Sequence, residues 1–76
     1  MLIVQFLRIT KDEYIEKQYE MIAKYKYSSH YGGYSFIKPS IGDTITVNGY
    51  RGEVTNVHID YNDDAIDIFG RFNKID

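Results

Sequence analysis

The chain has 76 residues, contains no cysteine and carries a net charge of −2. A chain of this length forms one domain, residues 1–76, with a core close to the smallest size that folds without cross-links. Without cysteine it can form neither a disulfide framework nor a thiolate metal site, so the core must hold alone or through self-association. The apolar start at residues 1–7 is too short to span a bilayer, which predicts a cytoplasmic protein with no membrane partner.

The charged residues are unevenly distributed along the chain. Residues 21–42 contain three lysines and no acidic residue, whereas residues 43–76 contain seven acidic residues and three basic ones. The small net charge points to no class of partner, but the distribution makes the middle of the chain a basic region in an otherwise acidic protein.

The N-terminal segment from Leu2 to Ile9 is apolar at nearly every position. Gln5 and Arg8 are the interruptions. An apolar run of this length is typical of a strand that is covered on both faces. The segment is therefore predicted to be a central strand of a sheet.

A capping box at residues 10–13 predicts the start of an amphipathic helix. The Thr10 side chain can accept a hydrogen bond from the Glu13 amide, and Ile9 and Tyr14 occupy the hydrophobic-staple positions. Apolar residues between Lys11 and Tyr27 fall on one arc of the helical wheel: Tyr14, Ile15, Tyr19, Met21, Ile22 and Tyr25. Glutamates and lysines fall on the opposite arc, which predicts a helix that packs on a sheet.

A hairpin is the strongest local signal in the second half of the chain. Two β-branched runs meet at Asn48-Gly49, and this dipeptide favours a two-residue type I′ turn, which needs positive φ at both central positions. Before the hairpin, a loop rich in serine and glycine at residues 28–33 is followed by a short predicted strand at residues 34–37.

The chain after the hairpin is predicted to form a bulge, a turn and a last strand. The alternation of apolar residues slips near Thr55-Asn56, which predicts the bulge. Residues 62–64 are Asn-Asp-Asp, a composition typical of turns. Ile66 and Ile68 then alternate with polar residues, as expected for a strand.

The hairpin region carries a family-like pattern at Gly42, Asp43, Ile45, Val47, Gly49, Gly52 and Val54. This pattern, within residues 41–57, resembles the strand-turn-strand of SH3-like small barrels, including the KOW-type modules of ribosomal and transcription proteins. In that family, alternate apolar residues face the barrel interior and the later glycines allow a tight turn and a coiled second strand. The resemblance implies a barrel-like sheet, and Arg51 lies near where KOW modules often carry a basic residue.

Two groups of polar residues match part of the pattern of a metal or catalytic site but lack other residues that such a site requires. Residues 60–64 copy the first ligands of a calcium loop, but Ala65 stands where that loop needs glycine and Arg71 where it needs glutamate. His30, His58 and the nearby serines match no nucleophile elbow and no zinc motif. We therefore expect no catalytic residue, no metal and no cofactor, and a protein that is not an enzyme.

The segment from residue 24 to residue 38 combines aromatic, basic and small residues. Its candidate binding residues are Lys24, Lys26, Tyr27, His30, Tyr31, Tyr34 and Lys38. Tyrosine, serine and glycine together are typical of protein-binding surfaces, so a protein partner is the first expectation. Aromatic faces also stack on bases while ammonium groups meet phosphates, which makes nucleic acid or a nucleotide the alternative. In a third interpretation these rings only close the core of a small sheet.

Together these features predict an α+β fold. One N-terminal strand and one amphipathic helix would pack on a strongly bent antiparallel sheet with an SH3-like hairpin. The expected function is that of a small non-enzymatic interaction protein, such as a phage or mobile-element accessory protein that binds and inhibits or modulates a host protein. The alternatives are a nucleic-acid or nucleotide-binding module that uses residues 24–38, and a structural subunit of a larger assembly.

Overall fold

The computed structural model describes residues 1–28 and 36–75. These residues form five strands: β1 (Leu2–Asp12), β2 (Lys17–Tyr27), β3 (Thr44–Val47), β4 (Tyr50–Asp60) and β5 (Ala65–Lys74). The strands make one sheet in the order β2-β1-β5-β4-β3. Neighbouring strands are antiparallel except β1 and β5, which are parallel. The sheet curls into a half-barrel whose two edges are β2 and β3.

The concave face of the curled sheet holds the hydrophobic core. Because side chains alternate between the two faces of a strand, buried positions recur at every second residue at the start of β1 and along β5. The buried residues are Leu2, Val4, Phe6, Ile22, Val47, Val54, Ile66, Ile68 and Phe72. Gly52 of β4 lies against Phe72, since a Cβ at this position would come within 2.8 Å of the Phe72 Cα. Glycine at this position therefore lets β4 and β5 approach each other.

The predicted α+β class is wrong, because the described residues contain five strands and no helix. Residues 11–27, expected to form the helix, instead form the end of β1, a tight connection and β2. Thr10 does not cap a helix and is the extra residue at a register shift of β1. Tyr14 and Ile15, expected on the buried face of the helix, lie at the tip of the β1–β2 hairpin with exposed side chains.

The physical reason for this difference is strand pairing. β2 forms an antiparallel ladder with β1 along its whole length, and such tertiary pairing overrides local helix propensity. Ile9 does not staple a helix but pairs with Tyr19. Residues 23–27 alternate as a strand does, but a register shift at Ile22 moves the alternation to the other face. The apolar residues of β2 therefore lie on both faces of the strand, although on a helical wheel they fall on one arc.

Several predictions for the second half of the chain are confirmed. Asn48 and Gly49 have φ of 47° and 81°, as a type I′ turn requires. The ladder between β4 and β5 shifts register between Val54 and Asn56, where the sequence predicts a bulge. Residues 61–64 turn the chain into β5. The curled five-stranded sheet is compatible with an SH3-like barrel.

Two further predictions are only partly correct. β1 is a central strand, as predicted, but only its concave face is fully covered. Leu2, Val4 and Phe6 are buried, whereas the side chains between them are half-buried. A strand was expected at residues 34–37. Residues 36 and 37 are not part of a strand, and residues 34 and 35 lie outside the described part of the chain.

Candidate functional site

The two edge strands of the half-barrel approach each other, and in the described part of the chain they do not pair. At one end a hydrogen bond bridges the gap, in which Asn48 Nδ2 donates to the Ile22 carbonyl over 2.7 Å. Asn48 lies in the β3–β4 turn and Ile22 in β2, so this contact joins opposite edges of the sheet. Beside it the gap opens into a groove of about 490 Å³. We call this groove the seam groove.

The floor of the seam groove is a row of four aromatic rings. The centroids of Phe6 and Tyr25 lie 6.0 Å apart, with ring planes inclined by 81°. Tyr25 and Tyr27 are 6.4 Å apart at 45°, and Tyr27 and Phe36 are 5.5 Å apart at 35°. Phe6 is 6% exposed, whereas Tyr25 is 39% exposed. The row therefore begins at a buried core ring, and its second ring, Tyr25, is open to solvent.

The β3 side of the seam groove is formed by the edge of the strand. The five consecutive residues 43–47 all line the groove. Successive side chains of a strand point to opposite faces, so consecutive residues can border one groove only along the backbone edge. β3 is the last strand on this side of the sheet among residues 1–28 and 36–75. The seam groove thus places a strand edge that pairs with no other described strand opposite aromatic rings.

Residues 36–39 form a third wall of the seam groove. Phe36 packs against the core, and Pro39 is buried. The turn that follows is fixed by two hydrogen bonds. The Ser40 amide donates to Asp43 Oδ2 over 2.8 Å, and the Asp43 amide donates to the Ser40 carbonyl over 3.0 Å. This pair of bonds sets the position of the wall relative to β3.

The predicted binding residues are only partly brought together by the structure. Tyr27 and Lys38 line the seam groove. Lys24 and Lys26 are exposed on β2, and alternation places them on the face opposite Tyr25 and Tyr27. The remaining predicted residues lie outside the described part of the chain: His30, Tyr31 and Tyr34.

Sequence reasoning missed most of the groove. The predicted segment contains Tyr25 and Phe36, which were not singled out, while Phe6 and residues 43–47 come from other parts of the chain. Sheet order alone brings these parts together. A signal for Tyr25 was present in its alternation with two lysines, which is typical of a strand with one aromatic face.

The three lysines among the predicted binding residues have no acidic partner within the described residues. Lys24, Lys26 and Lys38 take part in none of the ion pairs found there. Asp43, the acidic residue that lines the groove, accepts a hydrogen bond from the Ser40 amide. The charge of Lys38 is therefore available to an acidic partner in the groove, whereas Lys24 and Lys26 lie on the opposite face of β2.

Polar clusters elsewhere have structural explanations. Asp60 Oδ1 accepts hydrogen bonds from the Asn62 and Asp63 amides over 2.9 and 3.2 Å, so this carboxylate organises the β4–β5 turn. His58 Nδ1 lies 3.6 Å from Asp67 Oδ2 on the convex face. Within residues 1–28 and 36–75 no group of three or more His, Cys, Asp or Glu side chains is placed to hold a metal ion. No helix of that part is long and apolar enough to cross a membrane.

Comparisons with known proteins assign no family to the chain. No family model matches it, and comparisons with curated proteins and with solved structures give no match. The KOW-type resemblance, the phage origin and the inhibitor role stay predictions. The candidate function therefore depends on the geometry of the seam groove.

Proposed function

We propose that this chain is a protein-interaction domain that binds a short segment of a partner protein in the seam groove. The observation that carries the proposal is that a row of four aromatic rings and the edge of β3 line the same groove. Tyrosine buries a large area with few rotatable bonds, which makes it an effective anchor at interfaces. Tyr25 is 39% exposed and still has area to bury against a partner.

The chemistry of the seam groove selects the kind of segment that fits. Apolar side chains suit the aromatic floor, and an acidic residue suits the lysine at the groove wall, Lys38. Charges at the rim of an interface act mainly on the association rate and on the choice of partner. By binding such a segment of its partner, the domain would inhibit or modulate that partner. This is the role expected for a phage or mobile-element accessory protein that acts on a host protein.

The rival function is the binding of a nucleotide or a single nucleic-acid strand, and the same rings together with Lys38 favour it. The KOW-type resemblance of residues 41–57 belongs to this alternative. Two features support a protein partner instead. The rings are inclined to one another by 35° to 81°, so they offer no parallel slot for a base. Asp43 lines the groove and the net charge is −2, both of which oppose a phosphate chain.

Selection of a displayed library of random peptides on the immobilised protein tests this function. We expect enriched peptides that combine apolar and acidic residues. Tyr25→Ser should weaken binding of the most enriched peptide by about 1–3 kcal/mol, because it removes ring area from the groove floor. Tyr19→Ser is the matched control. Tyr19 lies on the same strand, is 46% exposed and packs on Phe69 of the convex face, so its loss should leave peptide affinity unchanged.

A matched pair of charge reversals tests the electrostatic part of the proposal. Lys38→Glu and Lys17→Glu change the net charge equally, but only Lys38 lines the seam groove. Lys38→Glu should slow association of the acidic peptide and Lys17→Glu should not. Failure to enrich any peptide, or equal losses from Tyr25→Ser and Tyr19→Ser, would contradict the proposal. Salt-sensitive binding of a random oligonucleotide that is lost with Lys38→Glu would favour the rival function.

A further inference from the structure

The hydrogen bonds between β3 and β4 determine which backbone groups of β3 point away from β4. In an antiparallel pair, alternate residues exchange backbone hydrogen bonds with the facing strand, and the residues between them point their amides and carbonyls away. The Val54 amide donates to the Asp43 carbonyl over 2.9 Å. The two-residue turn makes Val47 and Tyr50 a bonded pair. Asp43, Ile45 and Val47 are therefore bonded to β4.

Thr44 and Thr46 consequently direct their amide N–H and carbonyl groups into the seam groove. Each residue carries one donor and one acceptor, and no strand within residues 1–28 and 36–75 pairs with them. Their side chains point to the convex face, where the Thr46 hydroxyl accepts a hydrogen bond from Arg51 Nε over 3.1 Å. A ligand in the groove would thus meet the backbone of both threonines.

We propose that the partner segment binds as an extended strand that pairs with the edge of β3 that faces away from β4. This inference rests on the proposed function and adds the binding mode to it. A strand added to a sheet edge gains affinity from main-chain hydrogen bonds and specificity from its alternate side chains. The backbone donors and acceptors of Thr44 and Thr46 supply the main-chain hydrogen bonds, and the aromatic floor supplies the specificity for side chains.

The added strand presents every second side chain to the aromatic floor. One set of its side chains contacts Tyr25 and Tyr27, and the other set faces solvent, since strand side chains alternate. The occupant is therefore a segment of another protein with apolar residues at alternate positions and an acidic residue near Lys38. The paired part is short, because β3 has only 4 residues.

Backbone methylation of a bound peptide tests this mode. The probe is the peptide most enriched on the wild-type protein, synthesised with single N-methylated amides that remove one donor and keep every side chain. Methylation at the amides that face β3 should weaken binding about ten-fold or more, since each loses a hydrogen bond in a confined site. Methylation at the amides between them should change binding less than about three-fold, so that the effect recurs at every second residue.

A proline substitution tests the same contact from the side of the protein. Thr46→Pro removes the amide donor that faces the groove, and proline is tolerated on an edge strand where the N–H points away from the sheet. We expect a melting temperature close to that of the wild type and binding weakened about ten-fold or more. If Thr46→Pro does not fold, the methylated peptides decide alone.

The outcomes separate the binding mode from the proposed function. A peptide that needs Tyr25 but tolerates methylation at every position would overturn strand addition and leave the proposed function standing. A selection that enriches no peptide would overturn both. A second copy of this chain as the occupant would appear as concentration-dependent self-association in sedimentation without peptide, and that result would also contradict the proposal.

Discussion

Asn48 has two roles, one in the backbone and one in the side chain. Its φ of 47° lies in the left-handed region, which asparagine tolerates better than most residues and which the type I′ turn requires. Its Nδ2 donates to the Ile22 carbonyl and joins the two edges of the sheet. Substitutions at this position can therefore distinguish the contribution of the turn to stability from that of the hydrogen bond between the two edges.

Asn48→Gly should lower the free energy of unfolding by about 1 kcal/mol, because it keeps the turn but removes the hydrogen bond to Ile22. Asn48→Ala removes the same bond and also strains the turn, so its loss should be larger by about 1 kcal/mol. Chemical denaturation of both variants measures these values. An unchanged stability of Asn48→Gly would contradict the seam contact, and equal losses would contradict the strain at positive φ.

At the level of elements, local signals predict the second half of the fold and fail for β2. The turn at Asn48-Gly49 and the bulge near Thr55 are encoded by residues next to each other in the chain. β2 depends on its pairing with β1, and its alternation is interrupted at Ile22. The spacing of apolar residues in β2 therefore fits both a helix and a bulged strand. Only the pairing with β1 decides which of the two structures forms.

The candidate site, like the fold, was predictable only where neighbouring residues in the chain carry the signal. Composition indicated the segment that contains Tyr27 and Lys38, because tyrosine and lysine cluster there. No local pattern could place Phe6 beside that segment or show that β3 is an edge strand. Both facts follow from the order of strands in the sheet, and strand order depends on contacts between distant parts of the chain.

Thr10→Ala tests the corrected assignment of the first hairpin. Thr10 is an exposed extra residue at a register shift of β1, so we expect the free energy of unfolding to change by less than about 0.5 kcal/mol. A helix cap at this position would instead lose about 1 kcal/mol. Thermal unfolding measures the difference, and far-UV circular dichroism should lack the double minimum of a helix. A cap-sized loss together with a helical spectrum would contradict the assignment.

At the scale of the whole molecule, residues 1–28 and 36–75 form a half-barrel with two unequal edges. Exposed edges invite uncontrolled pairing, and lysines on an edge strand oppose it. The long edge, β2, carries Lys17, Lys24 and Lys26. The short edge, β3, carries no lysine and borders the seam groove. The edge without this protection is thus the one that we propose for binding a partner strand.

An amide NMR titration of the wild-type protein with the most enriched peptide tests the central claim most directly. The claim is that a partner segment lies in the seam groove between β2 and β3. The largest shift changes should occur at residues 43–47, Tyr25 and Tyr27, and the amides of Thr44 and Thr46 should become protected from solvent exchange. Residues of the convex face, such as Tyr19 and Asp67, should change little. Largest changes on the convex face or at the hairpin tip of residues 13–16 would contradict the claim.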